Sequence, residues 1–425
     1  MLRSDQKRIF KLTSYDDALK KLLQMSCAKP ISYETVPLER AMGRVLAEDV
    51  KSEVDIPPTD QAVVDGYALK SKDTVKASLH TPVKLKVVGK LYPWSTSTDF
   101  NLASGQAVYV TCGTPMPQGA DAVVKVENTI LHYEEIEIRY AVKTGENVAL
   151  AGEDLKKQSL ILRKGEVLRP QDIGILAGAG IKKVKVFKRP RVAIIATGNE
   201  LFELSKKDPT RIVDNYALIM SGLISKLGGI PIRLGIAPDD LSEIKRKIGE
   251  GVEKADIVVT IGGCSVGEKD LVPDAINSFG EPGVIVHGVK VTPGRVTGFG
   301  LVKGKPVVML PGLIASTIAG FYLILAPLIG LCSGLKKTCL LPTVSAKIDQ
   351  DFQMGGRPYC RFLSIRLKQV NGILTAEPVA GGSSSLRRFA ESNGLILVPP
   401  RKNLKRGEAV NVTLFSCEEF AKFLD

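Results

Sequence analysis

Between residues 188 and 334 the chain alternates short apolar runs, at 191–196, 230–236, 256–261 and 306–310, with segments of helical length at 216–227 and 240–254. A parallel sheet buries such runs on both faces, and the strand, helix, strand alternation predicts a doubly wound α/β domain. Residues 47–140 have a different rhythm. Alternating stretches at 82–88, 106–110 and 134–139, separated by Gly, Pro and Asp, predict a β-rich insert. From 335 to the end of the chain at 425 the runs shorten and alternate again, predicting a small C-terminal β domain. Near the N-terminus Ser14 and Asp17 read as a capping box, and Ala18, Leu19, Leu22 and Leu23 give a helix ending near Met25 one apolar face. Residues 1–46 and 141–187 are left to form a further region.

One segment needs separate treatment. Residues 306–334 carry no charge and are long enough to span a bilayer. Pro311-Gly312 breaks the segment after its β-rich start and Pro327 interrupts the rest, so it reads as a buried strand, a tight turn and a buried helix, with no membrane partner. The polar, basic N-terminus has no secretory apolar region.

Composition narrows the function classes. With 425 residues, 44% hydrophobic and 24% charged, the chain has the make-up of a folded protein of three or four domains. The net charge of +13 favours anionic partners. Its densest basic stretches (Lys188, Arg189 and Arg191; Arg401, Lys402, Lys405 and Arg406) are short and carry no readout motif, so they read as solvated faces and nucleic acid is not an expected partner. Seven cysteines without a C-x-x-C pair argue against a disulfide framework and fit a reducing cytoplasm. His80, His132 and His287 are too far apart in sequence to suggest a histidine metal site.

The chemistry is expected where the apolar runs end. In an open α/β sheet, ligands bind beyond the carboxyl ends of the strands. Thr197-Gly198-Asn199-Glu200 follows the first run, residues 262–268 (GGCSVGE) follow another, and Pro311-Gly312 follows a third. Glycines admit a ligand close to the backbone, and free N–H groups hold phosphate or oxyanion oxygens. The carboxylates Glu200, Asp214, Asp239, Asp240, Glu268 and Asp270 fall at the same edge, and such oxygens suit Mg2+ shared with substrate phosphates. Asp239 and Asp240 also suit a helix cap after Pro238. Asp65-Gly66-Tyr67 has the composition of a hairpin turn. The segment from Lys290 to Thr292-Pro293-Gly294-Arg295 offers a cation for an oxyanion, or a solvated surface turn.

Together these stretches resemble a known family. Residues 64–68 (VDGYA), 113–127 (GTPMPQGADAVVKVE), 152–154 (GED), 189–201 (RPRVAIIATGNEL), 262–270 (GGCSVGEKD), 310–312 (LPG) and 392–395 are similar, in order and spacing, to the molybdopterin molybdotransferases, which include bacterial MoeA and the gephyrin E domain. The resemblance implies an elongated region built from the N-terminal helix and residues 152–186, a β-rich insert, a molybdopterin-binding α/β domain and a C-terminal β-barrel. It also implies a homodimer, with other cofactor-biosynthesis proteins as further partners. The implied reaction is Mg2+-dependent insertion of molybdate or tungstate into adenylylated molybdopterin with release of AMP. Carried over by position, Glu200, Asp239 and Asp270 match catalytic, metal-holding carboxylates, and Asp65 and Asp154 match acidic residues outside the α/β domain. Thr197, Gly198, Asn199, Asp214, Asn215, Gly262, Gly263, Ser265, Gly267 and Glu268 match the loops for pterin and phosphate. Lys290, Pro293, Gly294, Arg295, Pro311, Gly312 and Ser316 complete the expected ligand site.

The chain also departs from that pattern. Asn-Ser-Ala-Met is replaced by Gln61-Ala62-Val63-Val64, and Thr-Gly-Ala-Pro by Cys112-Gly113-Thr114-Pro115. Lys-Pro-Gly-Lys-Pro becomes Thr292-Pro293-Gly294-Arg295-Val296, and Pro-Gly-Asn-Pro-Val-Ser becomes Pro311-Gly312-Leu313-Ile314-Ala315-Ser316. Polar groups, a lysine and rigid prolines are lost, while the Pro-Gly pairs stay. If 290–292 is extended, Lys290 and Thr292 share a face and Lys290 replaces the missing ammonium. The alternative is a paralogue without turnover that binds pterin or acts as a scaffold.

Overall fold

The computed structural model describes residues 12–25, 29–95, 99–206, 208–335, 341–354 and 358–415. Its α/β domain is built on a six-stranded sheet in the order Ile230–Ala237, Arg191–Thr197, Ile257–Ile261, Lys305–Leu310, Gly298–Val302, Gly283–His287. The first four strands pair in parallel, and Gly298–Val302 runs antiparallel to both of its neighbours, Lys305–Leu310 and Gly283–His287. Successive side chains of a strand point to opposite faces. Val192, Ile194, Ile257, Val259 and Val308 therefore enter one core, while Ala193, Ile195, Val258, Val307 and Met309 enter the other. Helix Leu241–Lys254 covers the second core with Ile244, Ile248 and Val252, and helix Tyr216–Lys226 covers the first with Met220 and Ile224. This is the doubly wound arrangement expected from the rhythm of apolar runs. Gly283–His287 and Gly298–Val302 were not among those runs; Gly298 and Gly300 break the apolar stretch of the second.

The uncharged segment is a core element. After strand Lys305–Leu310 the chain turns at Pro311-Gly312 and runs as helix from Ile314 to Cys332. Pro327 does not interrupt it. A wider π turn at Phe321–Leu325 precedes the proline, which lacks an N–H and whose ring would otherwise meet the carbonyl four residues back. The helix has a mean hydropathy of 2.0, enough to cross a bilayer, but 89% of that window is buried inside the protein.

Besides the sheet residues of the same core, both ends of the chain cover it. Ser14 caps the N-terminal helix Tyr15–Gln24 by accepting from Asp17 N–H at 3.1 Å. Ala18, Leu22 and Met25 of that stretch belong to the same buried cluster as Phe321, Ile324 and Ile329. Grouped by sequence with the elongated region, this helix instead takes its apolar partners from the α/β domain. From the other end come Phe362, Leu395 and Phe415, and Phe415 stacks on Tyr322 at 4.7 Å. Burying side chains of this size contributes about 1.5–3 kcal/mol each.

The C-terminal strands Thr343–Ile348, Cys360–Val370, Ile373–Pro378, Gly394–Val398 and Ala409–Leu414 close into a barrel, because Gly394–Val398 pairs with both Ala409–Leu414 and Cys360–Val370. Val291–Thr292 of the α/β domain adds to its edge. The insert is a second six-stranded sheet, with Gly66–Leu69 between Ala122–Lys125 and Gln106–Val110. Asp65-Gly66-Tyr67 is therefore not the hairpin turn its composition suggests. Gly66 lies within the sheet, and a Cβ there would stand 2.0 Å from Val124 O. Between insert and α/β domain run two-stranded ladders, among them Tyr33–Pro37 with Lys183–Phe187, around a core that includes Leu46, Leu168 and Leu176.

Candidate functional site

Three parallel strands end side by side, and their loops meet. Gly262 N–H donates to Leu310 O at 2.9 Å, a Cβ on Gly262 would touch Thr197 O at 2.9 Å, and one on Gly312 would lie 3.5 Å from Gly262 Cα. The crevice they border measures about 790 Å3 and is lined by Thr197, Gly198, Glu200, Asp214, Asn215, Asp239, Gly262, Gly263, Gly267, Glu268, Asp270 and Gly312 of the residues singled out in the sequence. That volume is in the range of small-molecule sites. Ile212, Val213, Leu313 and Leu386 give it an apolar wall.

The loop 262–270 is shaped by its own carboxylate. Asp270 Oδ1 accepts from Ser265 N–H at 2.9 Å and Oδ2 from Gly267 N–H at 2.7 Å. These two N–H groups are therefore committed within the loop, whereas those of Gly263 and Val266 have no acceptor among the described residues. From the other side His287 supports the loop at 2.8 Å to Cys264 O. A carbonyl only accepts, so Nε2 carries the proton. His287 was weighed in the sequence only as a metal ligand; its role is to hold this loop. Gly263 also has a cause other than ligand approach, since at φ +62° its Cβ would meet Thr197 Oγ1 at 2.8 Å and Val272 Cγ2 at 3.0 Å. Burial pushes the Cys264 thiol up to about 12, so it stays protonated.

The adjacent aspartates divide the alternatives left open for them. Asp240 caps helix Leu241–Lys254, its Oδ1 accepting from Ser242 N–H at 2.9 Å and Glu243 N–H at 3.1 Å. Asp239 lines the crevice and clasps Asn199, with Asn199 N–H on Asp239 Oδ2 at 3.3 Å and Asp239 N–H on Asn199 Oδ1 at 3.1 Å. Glu200 folds over Gly198, where a Cβ would come within 2.5 Å of its carboxylate. Asp214 is half-buried and accepts from Ala217 N–H at 3.1 Å, and burial raises its carboxyl above the usual range. Among the described residues no three His, Cys, Asp or Glu side chains converge as a metal cluster. Glu200, Asp239 and Asp270 thus share the crevice without forming the three-ligand metal site expected of them, because Asp270 is turned to its loop.

Other expected residues lie outside this lining. Ser265 and Asn199 shape its loops, Pro311 O accepts from Thr317 Oγ at 2.6 Å, and Ser316 is buried in the following helix. Lys290 is not in an extended stretch. Val291 N–H bonds to Val289 O at 2.7 Å, a tight turn that kinks the chain at Lys290 and breaks the alternation that would align it with Thr292. Pro293, Gly294 and Arg295 follow, with Arg295 exposed and Gly294 packed beside Ser316 O and Ala319. Asp65 is exposed at the start of its strand and accepts from Cys112 N–H at 2.8 Å, and Asp154 is exposed with its N–H on Ile56 O at 3.0 Å. Neither lines the crevice. Residues passed over in the sequence do: Tyr216, whose OH accepts from Ile314 N–H at 3.2 Å, Lys269, and Ser384 of the C-terminal domain.

A doubly wound domain with such a crevice, flanked by a β-rich insert and a β-barrel, is the architecture of proteins that build the molybdenum cofactor. Three family models match in series: "MoeA N-terminal region (domain I and II)" over residues 13–180, "Probable molybdopterin binding domain" over 193–330 and "MoeA C-terminal region (domain IV)" over 354–415. The molybdopterin molybdenumtransferase of Staphylococcus aureus is 31% identical over 406 residues, covering 94% of each chain. That of Bacillus subtilis is 31% identical and covers 90% of this chain and 89% of its own. The solved structure of the molybdopterin biosynthesis protein moeA from Pyrococcus horikoshii superposes with a TM-score of 0.82 at 34% identity, over 95% of this chain and 100% of that one. The chain belongs to the molybdopterin molybdotransferase (MoeA) family.

Proposed function

We propose that this chain inserts molybdate or tungstate into adenylylated molybdopterin at the α/β crevice, with release of AMP. The observation that carries the proposal is the meeting of three post-strand loops with Glu200 and Asp239 at one crevice, in a chain colinear over 94% of its length with a molybdopterin molybdenumtransferase. The apolar wall suits a pterin ring, and the uncommitted N–H groups of Gly263 and Val266 suit its phosphate. Carboxylates without histidine or thiolate are the hard oxygen donors that Mg2+ takes beside substrate phosphates, and Glu200 and Asp239 would hold it. When bound, it would neutralise charge on those phosphate oxygens. Asp65 and Asp154 enter this reading through a second copy of the chain, each copy presenting them to the crevice of the other in a two-fold dimer.

A second reading, pterin binding without turnover, is favoured by Thr292 where the family has lysine and by Leu313, 50% exposed, at the crevice wall. One experiment separates the two. Purified chain is incubated with adenylylated molybdopterin, Mg2+ and either oxyanion, and AMP release and pterin-bound metal are measured. Turnover with either oxyanion is expected. Retained pterin with no AMP from either one establishes the binding protein instead.

A further inference from the structure

The basic stretch at 188–191 reads in the sequence as a solvated face, but the fold gathers it with Arg40 and Arg44 into a groove of about 620 Å3. The groove lies where strands Arg191–Thr197 and Ile230–Ala237 begin and where Asp256 leads into Ile257–Ile261, at the amino edge of the sheet. The crevice occupies the opposite, carboxyl edge, about 20 Å away along the seven residues of the first strand. Five cations line the groove, Arg40, Arg44, Lys188, Arg189 and Arg191, against two carboxylates, Glu34 and Asp256. Both carboxylates are already engaged. Glu34 Oε1 accepts from Arg44 Nη2 at 2.6 Å, and Arg44, whose side chain is only 11% exposed, also donates to Phe187 O at 2.9 Å. Asp256 Oδ2 accepts from Arg191 N–H at 2.8 Å and stands 3.4 Å from its guanidinium. Arg40, Lys188 and Arg189 have no anionic partner among the described residues. Like charges gathered in one groove raise each other's energy, and an anion placed among them relieves it.

The shape beside these charges selects the kind of anion. A second hollow of about 430 Å3 opens next to the first and shares Arg44, Lys188 and Arg189 with it. Its walls differ, for Val167, Leu227, Leu341 and Pro342 present partly exposed apolar surface. An occupant of both hollows carries negative charge at one end and an apolar group at the other. Free phosphate meets only the first requirement. Single-stranded nucleic acid binds basic grooves by stacking its bases on aromatic rings, and the rings here, Phe187 and Phe415, are buried. A peptide with acidic side chains next to an apolar one meets both requirements, and clusters of arginine recognise acidic motifs in this way.

We propose that this groove at the amino edge of the α/β sheet docks an acidic segment of a partner protein, with its carboxylates on Arg40, Lys188 and Arg189 and a neighbouring apolar side chain in the hollow beyond. The surface lies apart from the crevice, so a partner can sit on it while the crevice is filled. It stands whether or not the chain turns over the substrate named above.

The test is fluorescence anisotropy of the full-length chain with a fluorescein-labelled polyglutamate peptide that ends in phenylalanine. The wild type should bind it at low salt and release it as salt rises. Reversing the free charges together, Arg40→Glu with Lys188→Glu and Arg189→Glu, should weaken binding about tenfold or more, since exposed pairs are individually modest and act here in concert. Arg401→Glu with Lys405→Glu and Arg406→Glu removes as much net charge from another exposed stretch and should leave the affinity nearly unchanged. Glutamine in place of glutamate at the three groove positions, checked by thermal unfolding, covers the case in which the reversed variant folds poorly. Deleting the phenylalanine from the peptide should weaken its binding to the wild type. The proposal is overturned if the wild type does not bind the peptide, if folded groove variants bind it like the wild type, or if the 401–406 variant loses as much. It is overturned equally if the phenylalanine makes no difference, or if tripolyphosphate or a single-stranded RNA holds the groove more tightly than the peptide. AMP release decides the crevice reading separately and does not enter this measurement.

Discussion

Replacing Asp270 with alanine distinguishes a loop clasp from a catalytic carboxylate. Its two oxygens hold the N–H groups of Ser265 and Gly267 at 2.9 and 2.7 Å. Hydrogen bonds to a charged group contribute about 1.5–3 kcal/mol each. Gly267 is exposed and Ser265 partly so, which places each bond at or just below the low end of that range, for a total of about 2–3 kcal/mol. Only the loop 263–270 depends on these bonds, so the penalty appears as local opening and the global melting temperature should fall by only a few degrees. Ligand that needs the closed loop should then bind roughly 30- to 150-fold more weakly. Asp270→Asn retains one acceptor and should lose less. Isothermal titration with a pterin nucleotide, paired with thermal unfolding, measures both quantities. If Asp270→Ala binds the nucleotide like the wild type but loses turnover, Asp270 acts in the chemistry and the clasp argument is wrong.

Three further outcomes follow from packing and titration. Gly66→Ala puts a Cβ 2.0 Å from Val124 O inside the insert sheet; it should destabilise by more than about 2 kcal/mol in urea unfolding, and an unchanged midpoint would refute the placement of this strand. Asp214 has a raised pKa through burial, so its contribution to stability is present below the ordinary aspartate range and is lost as pH rises through the folded value. Asp214→Asn should therefore raise the melting temperature relative to wild type at pH 7 but not at pH 3, and a gain at both values would point to another cause. Native alkylation should modify exposed Cys112 and spare Cys264, whose buried thiol stays protonated; rapid labelling of Cys264 by peptide mapping would contradict its environment.

The local signals that survived in the sequence are those that do not depend on distant chain. The apolar runs announced the sheet because burial on both faces leaves no polar alternation, and turn residues directly after them marked the loops at Thr197, Gly262 and Pro311. What remained hidden was set across the fold. Gly66 has turn composition, yet its identity is fixed by the carbonyl of Val124, 58 residues away in sequence. Pro327 reads as a helix stop because the wider turn that accommodates it leaves no mark in composition. Ser384 lies within a Gly-Ser tract and Leu386 just after it, and the tract has no periodicity to place it; the bond from Ala315 N–H to Ser383 O sets it against the helix after Pro311-Gly312, where both residues line the crevice. Lys290 was misjudged because alternation presumes a straight strand, and one backbone bond from Val291 to Val289 removes that premise.

The covering of helix 314–332 has a consequence for biosynthesis of the chain. Emerging from the ribosome, this segment is as apolar as a membrane anchor. Part of its shelter, Ala18, Leu22 and the sheet residues of the same core, has already been made, but Phe362, Leu395 and Phe415 are translated 30 to 83 residues after Cys332. During that interval the nascent protein leaves one apolar face of this helix bare on an otherwise finished α/β domain, a natural substrate for holdase chaperones or for mistaken delivery to a membrane. The C-terminal barrel therefore acts as the closing step of synthesis, and a transcript truncated before Phe415 should yield aggregates instead of a smaller soluble protein.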